Sequence, residues 1–86
     1  MDLNDLLIRY FGHADLMALE PAAVAPGLDR MTVDFGLERD RGRRFALWTL
    51  MHMLGAAPDL DIAFENEADR NAARSFMDLA DQVAER

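Results

Sequence analysis

The segment FALWTLMHML, from Phe45 to Leu54, is interrupted by only two polar side chains, Thr49 and His52. On a helix such a run is apolar nearly all round, and a helix of that kind sits at the centre of its domain or is covered by another chain. At about half the length of a bilayer span it reads as a core helix and not a membrane segment. A chain of 86 residues has room for one domain, and a domain this small buries a limited fraction of its surface. The expectation is therefore an all-α, single-domain bundle of about four helices spanning 1–86, with a central, largely apolar third helix.

Composition narrows the remaining choices. Hydrophobic residues make up 51% of the chain, enough apolar material to offset the entropy of ordering it. The absence of cysteine removes disulfides, thiolate metal sites and thiol nucleophiles together. The first residues, MDLNDLLIRYFGHAD, lack the basic start and apolar run of a secretory signal, which makes a cytoplasmic location the default expectation. All nine basic residues are arginine, so every cationic side chain carries a planar fork suited to carboxylate or phosphate. With a formal net charge of −7, the molecule as a whole repels nucleic acid and anionic membrane, and any such contact has to be local.

The neighbours of the central helix follow from caps and breakers. Asp2 or Asn4 can cap a first helix carrying Leu3, Leu6, Leu7, Tyr10 and Phe11 at helical spacing, with Gly12 as terminator. Asp15 can start one further turn through Leu16, Met17 and Leu19. Glu20-Pro21 marks a second helix with proline in its first turn, running to about Phe35 and closed by Gly36. Pro26-Gly27 is its weak point, where the helix kinks or starts afresh. The third helix spans about Glu38 to Leu54 and stops at Gly55. Leu60, Ile62 and Phe64 then alternate briefly, as an extended strap or an extra helical turn. Asn66 caps the last helix, with Glu67 and Asp69 in its first turn. Ala68, Ala72, Ala73, Phe76, Leu79, Ala80 and Val83 form its buried stripe, and Asp78, Asp81 and Glu85 face water.

The sharpest local feature is a cluster of four arginines in six positions, Arg39, Arg41, Arg43 and Arg44. At a helix start the macrodipole disfavours cations by roughly 0.3–1 kcal/mol each, so something has to compensate. Asp40 and Arg44 have the i,i+4 order that supports a helix. Three readings rank in order. Pairing with carboxylates of neighbouring helices, such as Asp34, Glu65 or Glu67, comes first. A docking patch for an acidic partner or a second copy comes next. Nucleic-acid binding comes third. A turn at Gly36-Leu37 followed by an arginine-rich helix start mimics a helix-turn-helix, yet the helix turns wholly apolar from Phe45 and no second basic patch exists to hold phosphates.

Little points to chemistry. His13 and His52 are the only histidines, and nothing in the sequence places them together. His52 lies one turn beyond Trp48, where a core or interface role outweighs catalysis. The acidic run from Asp59 to Asp69 lacks the calcium-loop pattern, and Ser75 is the only serine. Methionines such as Met31, Met51, Met53 and Met77 fill cores more often than they line binding grooves. The resulting expectation is a protein without catalytic, metal or cofactor residues that acts by protein-protein contact, as a homodimer or accessory subunit. Its candidate interface is Arg39, Arg41, Arg43, Arg44, Trp48, Met51 and His52. Nucleic-acid regulation through the arginines is the alternative, and a methionine-lined ligand cavity is a third class without a polar anchor.

Overall fold

The computed structural model describes residues 3–13, 15 and 20–84, and these form an all-α bundle with no strand among them. Helix α1 runs Leu3–Phe11, α2 Pro21–Leu37, α3 Arg41–Met53, α4 Leu60–Ala63 and α5 Glu67–Ala84. The expected cap at Asp2, the turn through Leu16, Met17 and Leu19, and the outward Glu85 lie outside the described residues.

Short-range chemistry explains most boundaries. Pro21 opens α2, where its missing N–H costs nothing. The Asp40 carboxylate accepts the Arg43 N–H at 2.9 Å and caps α3. Asn66 Oδ1 accepts the Ala68 N–H at 2.8 Å at the head of α5. At the end of α3, Gly55 has φ +76°. Its N–H donates to His52 O at 3.0 Å, and the Ala56 N–H donates to Met51 O at 2.8 Å. This is the paired closure that glycine's left-handed backbone permits.

Two expected boundaries need correction, and two open alternatives are resolved. The second helix does not stop at Gly36. It continues to Leu37, and the Glu38 N–H donates to Asp34 O at 2.9 Å. It also passes through Pro26, because the carbonyl that proline leaves without a donor lies one turn back, near the solvent-exposed start of the helix. The third helix starts at Arg41 and not at Glu38, since Asp40 turns its side chain onto the backbone as cap and leaves Arg39 in the connection. After α3, residues Leu60–Ala63 form a single helical turn, which sends Ile62 outward while Phe64 enters the core in extended conformation.

One cluster of buried side chains joins every helix. Leu6, Leu7, Tyr10 and Phe11 of α1 meet Met31 and Phe35 of α2, with α3 contributing Leu47, Trp48, Leu50 and Met51, and Ala63, Phe64 and Ala73 closing the far side. The third helix is central, as its composition requires. Rings organise the packing beside it: Phe64 stacks on Phe45 at 5.8 Å and meets Phe35 edge-on at 6.4 Å. Helices α1, α2 and α5 pack on α3, and Met53 is its one large apolar side chain that stays exposed.

Tyr10 ties α1 to α2. Its hydroxyl donates to Asp34 Oδ2 at 2.5 Å, and the Arg30 guanidinium donates to the Tyr10 carbonyl at 2.6 Å. Burial first, and the neighbouring Asp34 second, push the phenol from its ordinary value to about 12. The unfolded chain ionises Tyr10 near pH ~10, whereas the folded chain holds that proton until about 12. Folding therefore gains stability from this group below pH ~10, and loses it as pH rises through the folded value. The chain has one tyrosine, no lysine and no cysteine, so little else titrates there. Wild type is expected to lose about 2 kcal/mol between pH ~10 and ~12. Tyr10→Phe should start less stable by about 1 kcal/mol and lack the alkaline loss. Tyrosinate absorbance of native and urea-unfolded protein, alongside unfolding curves at each pH, checks both halves.

Candidate functional site

The four clustered arginines do not act as one patch. Arg44 turns inward. One of its terminal nitrogens donates to Phe35 O at 2.7 Å and to Glu38 O at 3.1 Å, and the other donates to Ala63 O. Its guanidinium carbon lies 4.1 Å from the centroid of the Phe35 ring. One side chain thus closes the C-terminal end of α2, holds the end of α4 and covers an aromatic face. Arg41 makes a bidentate pair with Asp69 of α5 at 2.9 and 3.0 Å. The guanidinium holds the Asp69 carboxyl below the usual carboxylate value through that hydrogen bond.

Arg39 and Arg43 are exposed and have no side-chain partner among the described residues. Their surroundings are nevertheless balanced. Arg43 shares a cleft of about 170 Å³ with Arg9, Asp34 and Glu38. Arg39 borders a second cleft in which Arg41 and Arg44 face Glu38, Glu65 and Asp69. Internal pairing is thus the fate of two arginines, with partners other than those expected. Asp34 is taken by Tyr10, Arg41 selects Asp69 over Glu65 or Glu67, and Arg44 selects carbonyls over carboxylates.

The three non-arginine candidates lie in or beside the core. Trp48 and Met51 are each 1% exposed, leaving no surface for a partner. The His52 ring stacks on the indole at 5.2 Å with planes 12° apart, and Phe76 of α5 meets both rings edge-on at 5.8 and 6.0 Å. His52 is half-buried in this aromatic stack. No group of three or more histidine, aspartate or glutamate side chains is arranged to hold a metal ion among the described residues, and no helix there is long and apolar enough to cross a membrane.

Apolar side chains face water at several places, Ile8, Val33, Leu37 and Ile62 among them, and also on α5, where an entirely buried stripe was expected. Only Ala73 is fully buried, with Phe76, Met77 and Ala80 partly so. Ala68 and Ala72 are exposed, and Leu79 and Val83 are 61% and 72% exposed. The cause is geometric. Helix α5 contacts α3 and α4 through one edge of its stripe, and on the other edge Ala68, Ala72, Leu79 and Val83 stay exposed, with no helix packed over them among the described residues. The signal was present in the sequence as a stripe too wide for one partner helix, since apolar residues fill both the Ala73–Met77–Ala80 and the Ala72–Leu79–Val83 rows.

No known family model matches this chain, and neither a curated protein nor a solved structure is detectably similar to it.

Proposed function

We propose that this chain is a small helical interaction protein that works by protein-protein contact, as a homodimer or an accessory subunit, without catalysis of its own. One observation carries the reading: along about four turns of α5, Ala68, Ala72, Leu79 and Val83 are exposed on one flank, with the uncharged Ser75 between them. A monomeric surface seldom leaves a contiguous apolar strip on a regular helix without using it. The interface moves accordingly from Trp48 and Met51, which are core, to the neighbouring helix that packs over them. The nucleic-acid alternative is weaker, because Arg41 and Arg44 are committed to Asp69 and to backbone carbonyls, and acidic groups face Arg39 and Arg43.

A photoreactive residue placed at Leu79 or Val83 is expected to capture another protein chain in the cells that make this one. The same residue at Asp78, on the charged side of α5, should not. Equal capture from both sides, or none from either, overturns the reading.

A further inference from the structure

We propose that the cleft between α2, α3 and the loop leading into α4 is a binding site for a small carboxylic acid with an apolar body, its carboxylate held by Arg44. No residue of α5 lines this cleft, so a ligand here and a protein partner on the α5 flank can be tested apart.

The cleft measures about 460 Å³, within the range of roughly 300–1,000 Å³ in which small molecules are held. Phe35 and Met51 line it and are almost fully buried, whereas Ile62 lines it and is 76% exposed. The first two therefore form its floor and the isoleucine its rim, and Pro58 adds to an apolar wall. No lining residue is acidic, in a chain with 16 aspartates and glutamates and a formal −7. Four other clefts of this surface each carry at least two carboxylates. An anion is repelled at those and meets a lone cation, Arg44, at this one. An apolar body bound here also covers Ile62, which the α4 turn otherwise leaves in water.

Arg44 supplies the polar anchor that a methionine-lined cavity lacks on sequence alone. Three of its five N–H donors are spent on the Phe35, Glu38 and Ala63 carbonyls. The Nε hydrogen and one hydrogen of a terminal nitrogen have no partner among the described residues. Its charge is unpaired as well. No carboxylate among the described residues forms an ion pair with Arg44, although Glu38 and Glu65 border the neighbouring cleft with it. A half-buried cation gains more from a counter-ion than an exposed one does. The three carbonyls also hold the guanidinium in place, so a carboxylate that binds it does not have to order a long side chain first. Arg39 and Arg43 are exposed and have no such restraint. The planar fork matches a carboxylate, and the Phe35 ring, 4.1 Å from the guanidinium carbon, continues into the apolar floor. One molecule can therefore set its acid group on Arg44 and its body against Met51 and Ile62.

The test titrates the purified full chain with octanoate and with naphthoate in a calorimeter. Saturable one-to-one binding of at least one acid is expected, with the matching alcohol at least about tenfold weaker. Ile62→Glu sets a like charge on the rim and should weaken the acid at least about tenfold. Its circular dichroism spectrum should not change, because the side chain is exposed. Gly36→Leu is the second variant. A Cβ at Gly36 meets nothing within 4 Å, and its φ is not positive, so leucine enters α2 without strain and takes up part of the cleft. Affinity should fall by a similar factor while the urea midpoint holds or rises. Leu79→Gln, outside the cleft, should bind the acid as wild type does. No saturable binding of either acid, alcohols that bind as tightly as their acids, or an affinity that neither Ile62→Glu nor Gly36→Leu reduces overturns the proposal. Photoreactive capture through Leu79 is expected to be the same whichever of these results is found.

Discussion

Replacing Arg44 with alanine is expected to lower the unfolding free energy by about 4 kcal/mol, read as a shift of the urea midpoint at constant slope. Glutamine at Arg39 or Arg43 should leave that midpoint nearly unmoved. The difference lies in what each guanidinium touches. Arg44 is the shared donor to carbonyls of Phe35, Glu38 and Ala63, three groups at element ends that have few alternative donors. A hydrogen bond from a charged donor contributes about 1.5–3 kcal/mol net, and stacking on an aromatic face about 0.5–2 kcal/mol. One side chain making all of these does not deliver their full sum, which sets the figure near 4. A domain of this size has only about 5–10 kcal/mol in total, so Arg44→Ala stands close to the edge of folding. Arg44→Lys therefore serves as the companion measurement. Lysine keeps the charge but not the fork, and it cannot span acceptors on two separate elements. It should recover less than half of the loss. Full recovery by lysine would show that charge alone matters and would refute the clamp.

Arg44 also marks where sequence reading stops. The cap at Asn66, the proline at the head of α2 and the glycine after α3 are legible because each acts within five residues, whereas the equally local cap at Asp40 is masked in the sequence by its i,i+4 spacing to Arg44. The central place of α3 is legible because no other position accepts a helix without a polar face. Which acceptor an arginine selects is decided by elements far apart in sequence, and nothing in the spacing of Arg39 to Arg44 separates the inward side chain from the outward ones. The same holds for α5. Its periodicity identifies the apolar rows, yet whether the Leu79–Val83 row is covered depends on the width of the helix packed against it. The proposed interface was thus read as core, and core residues Trp48 and Met51 were read as interface, from one correct set of apolar positions. Arg30, Arg44 and Arg70 all donate to backbone carbonyls of other segments, which gives the absence of lysine a structural use that composition alone left open.

Gly27→Ala should destabilise the protein by about 2 kcal/mol, although the same change at an ordinary helix position stabilises by about 1. The sign is the test. Gly27 lies inside α2 and is buried, where the end of α1 crosses it. A Cβ added there would stand 2.2 and 2.5 Å from two ring carbons of Phe11 and 2.9 Å from the Tyr10 carbonyl oxygen. The ring can turn away only by leaving the core, and the carbonyl is backbone that also accepts from Arg30. Pushing α1 outward strains that bond and the Tyr10–Asp34 contact with it, so the loss by overpacking exceeds the gain in helix propensity. Phe11→Ala alone should cost about 3 kcal/mol. In that background Gly27→Ala should become neutral or stabilising, because the missing ring leaves room for the methyl group. A double-mutant cycle by urea denaturation measures the coupling directly. Additive losses would mean that Gly27 is not the crossing point, and the packing of α1 on α2 would have to be redrawn. Strong coupling would explain why Pro26-Gly27, a pair that normally breaks helices, sits in the middle of this one: the glycine gives α1 its close approach, and the proline stiffens the turn that presents it.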